Sequence, residues 1–391
     1  MPDPPSRDAA FLARDAVDAL PVVGLERKLA EGRPLRVKLG LDPTAPDIHL
    51  GHTVVLRKLR EFQDRGHVVV LIVGDFTARV GDPSGRSSTR PQLSADQVEA
   101  NARTYVAQAA RVLDPEAVEL RHNSEWLDMA MDELFALART TTVAQLLERD
   151  DFARRHAARE PISILELLYP LMQGYDSVFV RADVELGGTD QKFNLLLARD
   201  VQRAYGVPEQ CVLTMPILPG LDGERKMSKS LGNHIGVTEA PEEAYGRTLS
   251  IPDHVMGAWF GLVLGEQMPA GLTARDAKHA LARSLVARLH GEQAAARAAE
   301  HFERTVVRGD APEHPQEVVF EPADGVVHLP ALIEQAFGRS RSEARRLLAE
   351  GGVRLDGSVL GAEDRDVDAQ RLDGAVLQVG KRAFRRLRRA P

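Results

Sequence analysis

Two short aliphatic runs, LRVKLGLD at 35–42 and VVVLIVGD at 68–75, constrain the fold of this chain more than any other feature. Each has the length of a strand buried on both faces, and each runs out through Gly and Asp, as such strands do when they lead into functional loops. Between them Val55, Leu59 and Phe62 recur at i, i+4 and i+7. That spacing predicts a helix over 53–65, with Gly66 as its stop. Strand, loop, helix, strand is a βαβ unit, and such units build doubly wound parallel sheets that bind ligands beyond the carboxyl ends of their strands. The loop from Pro43 to His52 therefore belongs at the binding edge of a Rossmann-like α/β domain.

The rest of the chain is read around that unit. From about 97 to 204 helical patterns dominate, broken by a strand near 118–121, and VFVRADVELGG at 178–188 reads as a strand returning to the sheet. The stretch 237–308 has no strand run and is Ala-rich, which predicts a helical second domain. Prolines and acids at 309–327 suit an extended linker. Residues 328–391 then form a small α+β unit, with helices at LPALIEQAF and SRSEARRLLAE and strands around VRLDG and AVLQVGKR. Domains are expected at 1–236, 237–308 and 328–391, consistent with a length of 391 residues.

Composition excludes several classes. With 43% hydrophobic and 27% charged residues the chain is an ordinary globular one. Its longest aliphatic run, Val68 to Val73, is far short of the ~18 apolar residues of a membrane span, and the acidic, proline-rich start does not look like a secretory signal. A cytoplasmic location with no membrane partner is expected. The single cysteine, Cys211, permits neither an internal disulfide nor a cysteine-rich zinc site. The net charge of −7 conceals an asymmetry, since residues 326–391 carry 13 Arg or Lys against 9 Asp or Glu.

Two segments could carry chemistry. HLGH, His49 to His52, lies where the first crossover helix begins; its imidazoles can donate to phosphate or ribose, and Gly51 lets a ligand approach the backbone. Ordinary loop histidines, or a pair of metal ligands lacking a third, are the competing readings. KMSKS, Lys226 to Ser230, is a polar loop whose ammonium groups can close on a triphosphate, although a lone lysine pair is usually just a solvated basic loop. Together, two anion-binding devices on one doubly wound sheet would bracket a nucleotide.

That combination resembles the class I aminoacyl-tRNA synthetases. GLDPTAPDIHLGH (40–52), GDPSG (81–85), YPLMQGYD (169–176), GGTDQ (187–191) and KMSKS stand in the order found in bacterial tyrosyl-tRNA synthetases. In YPLMQGYD, Tyr169, Gln173 and Asp176 fall at i, i+4 and i+7, so one helical face presents a phenol, an amide and a carboxylate. A bare triplet of this kind is more often a polar surface stripe, and the motif order reverses that preference.

The resemblance implies that Tyr169, Gln173 and Asp82 hold the substrate α-amino group, that Gln191 faces its carboxylate, and that Asp176 accepts the tyrosine hydroxyl proton. A buried carboxylate awaiting a donor is left unsatisfied by phenylalanine, so rejection can be strong without editing, an argument for which tyrosyl enzymes are themselves the reference case. Asp42, Gly51, His52 and Asp190 would line the adenylate and its ribose, while Thr44 and His49 meet the outgoing phosphates. Lys226 and Lys229, with Met227, Ser228 and Ser230 around them, would close on ATP. The catalytic set so implied is Thr44, His49, His52, Lys226 and Lys229. One position departs from the family's usual pattern, since Lys38 stands where a tyrosine commonly helps to read the substrate phenol. A lysine there could pair with Asp176, contact the phenol or turn away.

The 328–391 unit resembles a small RNA-binding module shared with a ribosomal protein. It sets Arg341, Arg345 and Arg346 on or near one helix face, and Lys381 and Arg382 open a basic tail. By the same resemblance the reaction is tyrosine activation by ATP followed by transfer to the terminal adenosine of tRNA(Tyr). Mg2+ would be carried on the ATP phosphates, with no metal held by the protein and no permanent cofactor, and the assembly would be a homodimer. Two other readings stand against it: a tryptophanyl-tRNA synthetase, which normally lacks the C-terminal module, and a non-catalytic RNA-binding protein with a relic nucleotide fold, which intact HLGH and KMSKS oppose.

Overall fold

The computed structural model describes residues 4–43, 47–81, 94–308, 315–380 and 383–390. The chain divides into two compact units, one of residues 1–240 and 247–285, the other of 241–246 and 286–391. That division falls inside the stretch 237–308 that composition marks as one helical domain, not at its ends.

In the first unit the described residues form a six-stranded sheet from β1 (Asp18–Leu20), β2 (Arg36–Leu41), β3 (Val68–Val73), β4 (Val118–His122), β5 (Val184–Gly188) and β6 (Cys211–Met215). Their order is β1-β6-β5-β2-β3-β4; β1 runs antiparallel to β6 and the other pairs are parallel. From β2 the chain builds outward through β3 and β4, then returns to lay β5 and β6 on the other side. The strand order thus reverses between β2 and β5, which is where such sheets bind ligands. Val69 to Val73 are all buried, as expected of a strand covered on both faces.

The crossover helix runs from Leu50 to Gln63, three residues earlier than periodicity indicates, because His49 caps it by accepting the Gly51 N–H on its side chain. Its core stripe includes Val54, Leu59 and Phe62, whereas Val55 is only half-buried and lines a cleft. A second departure lies at 178–188. The helix Ile164–Phe179, capped by Ser163 with Glu166 in reciprocal hydrogen bonds, continues through the first two of those residues. Arg181 then takes a positive φ of 49°, and the strand begins only at Val184. Tyr169, Met172 and Trp126 pack with Val70 and Ile72 of β3.

In the second unit a five-stranded sheet has the order β10-β9-β12-β13-β7, from β7 (Gln316–Phe320), β9 (Val353–Leu355), β10 (Ser358–Leu360), β12 (Val376–Val379) and β13 (Ala383–Arg389). A separate pair joins β8 (Val326–His328) to β11 (Asp366–Asp368). Residues 316–320 are therefore not linker: β7 lies parallel to β13, with Val318 opposite Leu387. Most of the basic tail is the strand β13, which buries Phe384 and Leu387 while Arg386, Arg388 and Arg389 stay exposed. Both helices expected here are present, at Leu329–Phe337 and Arg341–Ala349. Phe320, Ile333, Leu348, Leu355, Leu377 and Leu387 share one core. Among the described residues no helix is long and apolar enough to cross a membrane.

Candidate functional site

A cleft of about 720 Å³ opens in the first unit at the carboxyl ends of its parallel strands. Each parallel strand contributes through its end or the segment that follows it: Asp42 after β2, Gly74 and Thr77 after β3, Asn123 after β4, Gly188 at the end of β5 with Asp190 and Gln191 beyond it, Ile217 after β6. Close backbone packing shapes it. A side chain at Gly74 would place its Cβ 2.0 Å from Asp42 Oδ1, and one at Gly51 would sit 2.9 Å from the His49 ring.

The two anion-binding segments meet in this cleft, where His49, Gly51, His52 and all five residues from Lys226 to Ser230 line the wall. Gly51 N–H donates to His49 Nδ1 at 3.1 Å, and His49 N–H donates to His52 Nδ1 at 3.2 Å. Both rings therefore accept at Nδ1 and keep their proton on Nε2, one donor each for a phosphate or ribose oxygen. Burial first, then the neighbouring His52, His234, Lys229 and Lys226, pushes His49 down to about 2; burial chiefly pushes His52 down to about 4. Both imidazoles are neutral throughout the physiological range. The loop lysines hold carboxylates across the cleft, Lys226 on Asp190 at 3.2 Å and Lys229 on Asp47 at 3.0 Å.

The helix Ile164–Phe179 brings Tyr169, Gln173 and Asp176 to the cleft together, as the i, i+4, i+7 spacing predicts. Tyr169 donates its hydroxyl proton to Asp42 Oδ2 at 2.8 Å, and Thr77 donates to the other oxygen at 2.8 Å, so Asp42 joins the helix Ile164–Phe179 to the segment after β3. Asp176 is 4% exposed and accepts from the Trp126 indole N–H at 2.8 Å. Burial raises this carboxyl to about 7, against the opposing pull of the Lys38 ammonium and the Trp126 and Asn123 hydrogen bonds.

Lys38 finds its charge partner in Glu185 on the neighbouring β5, at 2.8 Å, and not in Asp176. Its ammonium also donates to Ser177 Oγ at 2.6 Å and to the Gln173 carbonyl at 3.1 Å. Lysine and glutamate are 0% and 1% exposed, and Glu185 lines the cleft. Removing one member of a buried pair strands the other charge. Lys38→Met should therefore lower stability by about 3 kcal/mol, and adding Glu185→Gln should restore much of it. Urea unfolding of the single and double variants checks this, and equal midpoints for wild type and Lys38→Met would exclude the pair as a stabilising element.

Glu185, Asp47, Thr77 and Asn123 line the cleft, and Asn194 backs it through Gln173 and Gln191, although the motif reading assigns none of them a role. Asp47 lies inside the GLDPTAPDIHLGH motif and so had a signal; the others are placed only by the fold. Thr44, Asp82, Lys381 and Arg382 lie outside the described residues. In the second unit Arg341, Arg345 and Arg346 are on a helix that buries Ala344 and Leu348, and Arg341 also pairs with Glu334 at 2.8 Å. No group of three or more His, Cys, Asp or Glu that could hold a metal occurs among the described residues.

A family model described as tRNA synthetases class I (W and Y) matches residues 30–306. The chain is 50% identical to the tyrosine–tRNA ligase of Moorella thermoacetica, over 98% of this chain and 96% of that one. It is 49% identical to that of Thiobacillus denitrificans, over 96% and 98%. Among solved structures, tyrosyl-tRNA synthetase from Aeropyrum pernix aligns with a TM-score of 0.60 at 22% identity, covering 76% of this chain and 99% of that one. The Archaeoglobus fulgidus tyrosyl-tRNA synthetase complexed with L-tyrosine also gives 0.60 at 22%, covering 75% and 99%. At that identity the structural likeness speaks for the fold.

Proposed function

The chain belongs to the class I tRNA synthetases of the tryptophan and tyrosine group, and from that premise we propose that its cleft activates L-tyrosine with ATP and passes the tyrosyl group to tRNA(Tyr). The observation that carries this reading is a single cleft lined by both anion-binding segments and by the buried carboxylate of Asp176. The substrate carboxylate oxygen bonds to the α-phosphorus of ATP as the bond from that phosphorus to the bridging oxygen breaks, releasing pyrophosphate. A terminal ribose hydroxyl of tRNA then attacks the tyrosyl carbonyl and AMP leaves. No nucleophile from the protein takes part, so catalysis is alignment plus stabilisation of the leaving charge.

Tyr169, Gln173 and Asp82 hold the ammonium, Gln191 the carboxylate and Asp176 the phenol. Asp42, Gly51, His52 and Asp190 hold the adenylate, while His49, Thr44, Lys226 and Lys229 face the pyrophosphate, with Met227, Ser228 and Ser230 shaping the loop. Mg2+ arrives on the ATP phosphates. A homodimer is supported by the exposed Met131 and Phe135 on one helix and Ile164 on the helix packed against it. The arginines of residues 328–391 grip the RNA backbone.

ATP–pyrophosphate exchange with each amino acid tests the reading: tyrosine alone should support exchange, and support by tryptophan instead would replace it. If the loop lysines act on developing charge, Lys226→Ala or Lys229→Ala should each slow adenylate formation about tenfold or more while tyrosine affinity holds within about twofold. Pre-steady-state adenylate formation measures this, and an unchanged rate in the double variant would remove the role.

A further inference from the structure

Behind the amino-acid end of the cleft stands a buried polar chain whose direction is dictated by charge. Asp151, which as a carboxylate only accepts, takes two hydrogen bonds from Arg149 at 2.6 and 2.7 Å. Arg149 only donates, and its Nη1 meets Asn194 Oδ1 at 3.2 Å. With its oxygen so committed, Asn194 must direct Nδ2 the other way, and it does: Nδ2 donates to Gln173 Oε1 at 3.0 Å and to Gln191 Oε1 at 3.2 Å. Asn194 is 1% exposed and lies one helical turn after Gln191, at the start of the helix Lys192–Ala204. Arg149 and Asp151 are 6% and 7% exposed, and Arg149 is further held over the Phe152 ring at 3.9 Å.

We propose that Asn194 is a positioning residue for amino-acid binding, fixing which end of the Gln173 and Gln191 amides meets the substrate. The inference rests on the tyrosine-activating reading above. With Gln191 Oε1 drawn to Asn194, that amide turns its amino group the other way, and Gln191 lines the cleft. Gln173 Oε1 takes one bond from Asn194 and has a second lone pair to accept from an ammonium, while its Nε2 is occupied by Glu185 Oε1 at 3.4 Å. One asparagine thus sets a donor for the substrate's carboxylate and an acceptor for its ammonium. A flipped amide at either position would oppose like polarity to the ligand. Asn194 does not itself line the cleft, so it acts through the two glutamines.

Asn194→Asp has the same shape and still satisfies Arg149, but it can only accept. Both glutamines would then turn their amino groups toward the new carboxylate, and Gln191 would offer oxygen to the substrate carboxylate. The test is ATP–pyrophosphate exchange by the full-length protein, with p-cresol, which keeps the phenol but lacks both charged groups, as competitive inhibitor. Expected for Asn194→Asp is a rise of about tenfold or more in the KM for tyrosine, with the KM for ATP and p-cresol inhibition both within about twofold of wild type. Asn194→Ala, which removes the shared donor instead of reversing it, should show the same pattern with a smaller rise and stands in if the aspartate variant does not fold. An unchanged tyrosine KM in the folded variant, or an equal loss for tyrosine and p-cresol, overturns the proposal. Wild-type protein that shows no tyrosine-dependent exchange overturns the underlying reading, and the proposal with it.

Discussion

Replacing Asp176 by alanine should cost tyrosine about 2–3 kcal/mol of transition-state binding, roughly thirty- to a hundredfold or more in kcat/KM, while phenylalanine loses far less. The carboxylate is buried at 4% exposure, and its partners Trp126 and Asn123 reach it from the protein side. Phenylalanine offers no donor, so wild-type protein must leave the desolvated charge short of one hydrogen bond. Alanine removes that penalty and the selection together. A neutral acceptor gives a graded control: Asp176→Asn keeps a carbonyl oxygen without the charge, and should fall between wild type and Asp176→Ala. Exchange kinetics with both amino acids decide it, and a surviving preference for tyrosine in Asp176→Ala would move the selection elsewhere.

The same carboxyl gives the prediction a pH signature. Burial holds Asp176 at about 7 in the folded protein, whereas an unfolded aspartate ionises near about 3.9. Between those values the folded state binds the extra proton, so this group's contribution to stability falls as pH rises from about 4 to about 7. Selectivity is thus held at some expense of stability. The ionised form is the acceptor, so kcat/KM for tyrosine should climb through pH 7 and flatten in Asp176→Asn. His49 and His52, neutral above about 2 and about 4, add no further step in that range.

What can be read in the sequence is whatever repeats with a local period. The βαβ unit announces itself through aliphatic runs and one amphipathic helix, and Tyr169, Gln173 and Asp176 share a face because a helix turns every 3.6 residues. Contacts that depend on strand order have no such signal. Lys38 meets Glu185 only because β5 is laid beside β2, where Val37 pairs with Val184 and Lys38 with Glu185. Asn194 acquires its role from Arg149, 45 residues earlier in the chain. The stretch 309–327 reads as linker for the same reason: prolines and acids describe local conformation, but β7 is held by a partner near the other end of the unit.

Stopping the chain after residue 308 should abolish charging of tRNA while leaving tyrosine-dependent ATP–pyrophosphate exchange within about threefold of wild type. The cut has to precede β7, since a break near Pro322 would leave one strand of the C-terminal sheet behind. The cut takes away the whole core made from residues between Phe320 and Leu387 and leaves the helices of 286–308 in place. The activation residues lie in the other unit. Within the module basic side chains stand on the helix Arg341–Ala349 and on β13, and a full-length variant with Arg341, Arg345 and Arg346 replaced by alanine separates the two. Every phosphate that the variant no longer grips should flatten the dependence of log affinity on log salt by roughly 0.7 to 0.9. A weakened, flatter response in that variant assigns the grip to the helix; an unchanged response, with charging still abolished by truncation, assigns it to the other basic residues of the module, Lys381, Arg382, Arg386, Arg388 and Arg389 first among them. Truncated protein that charges tRNA with unchanged efficiency and salt response would show that the arginines serve only to keep the module in solution.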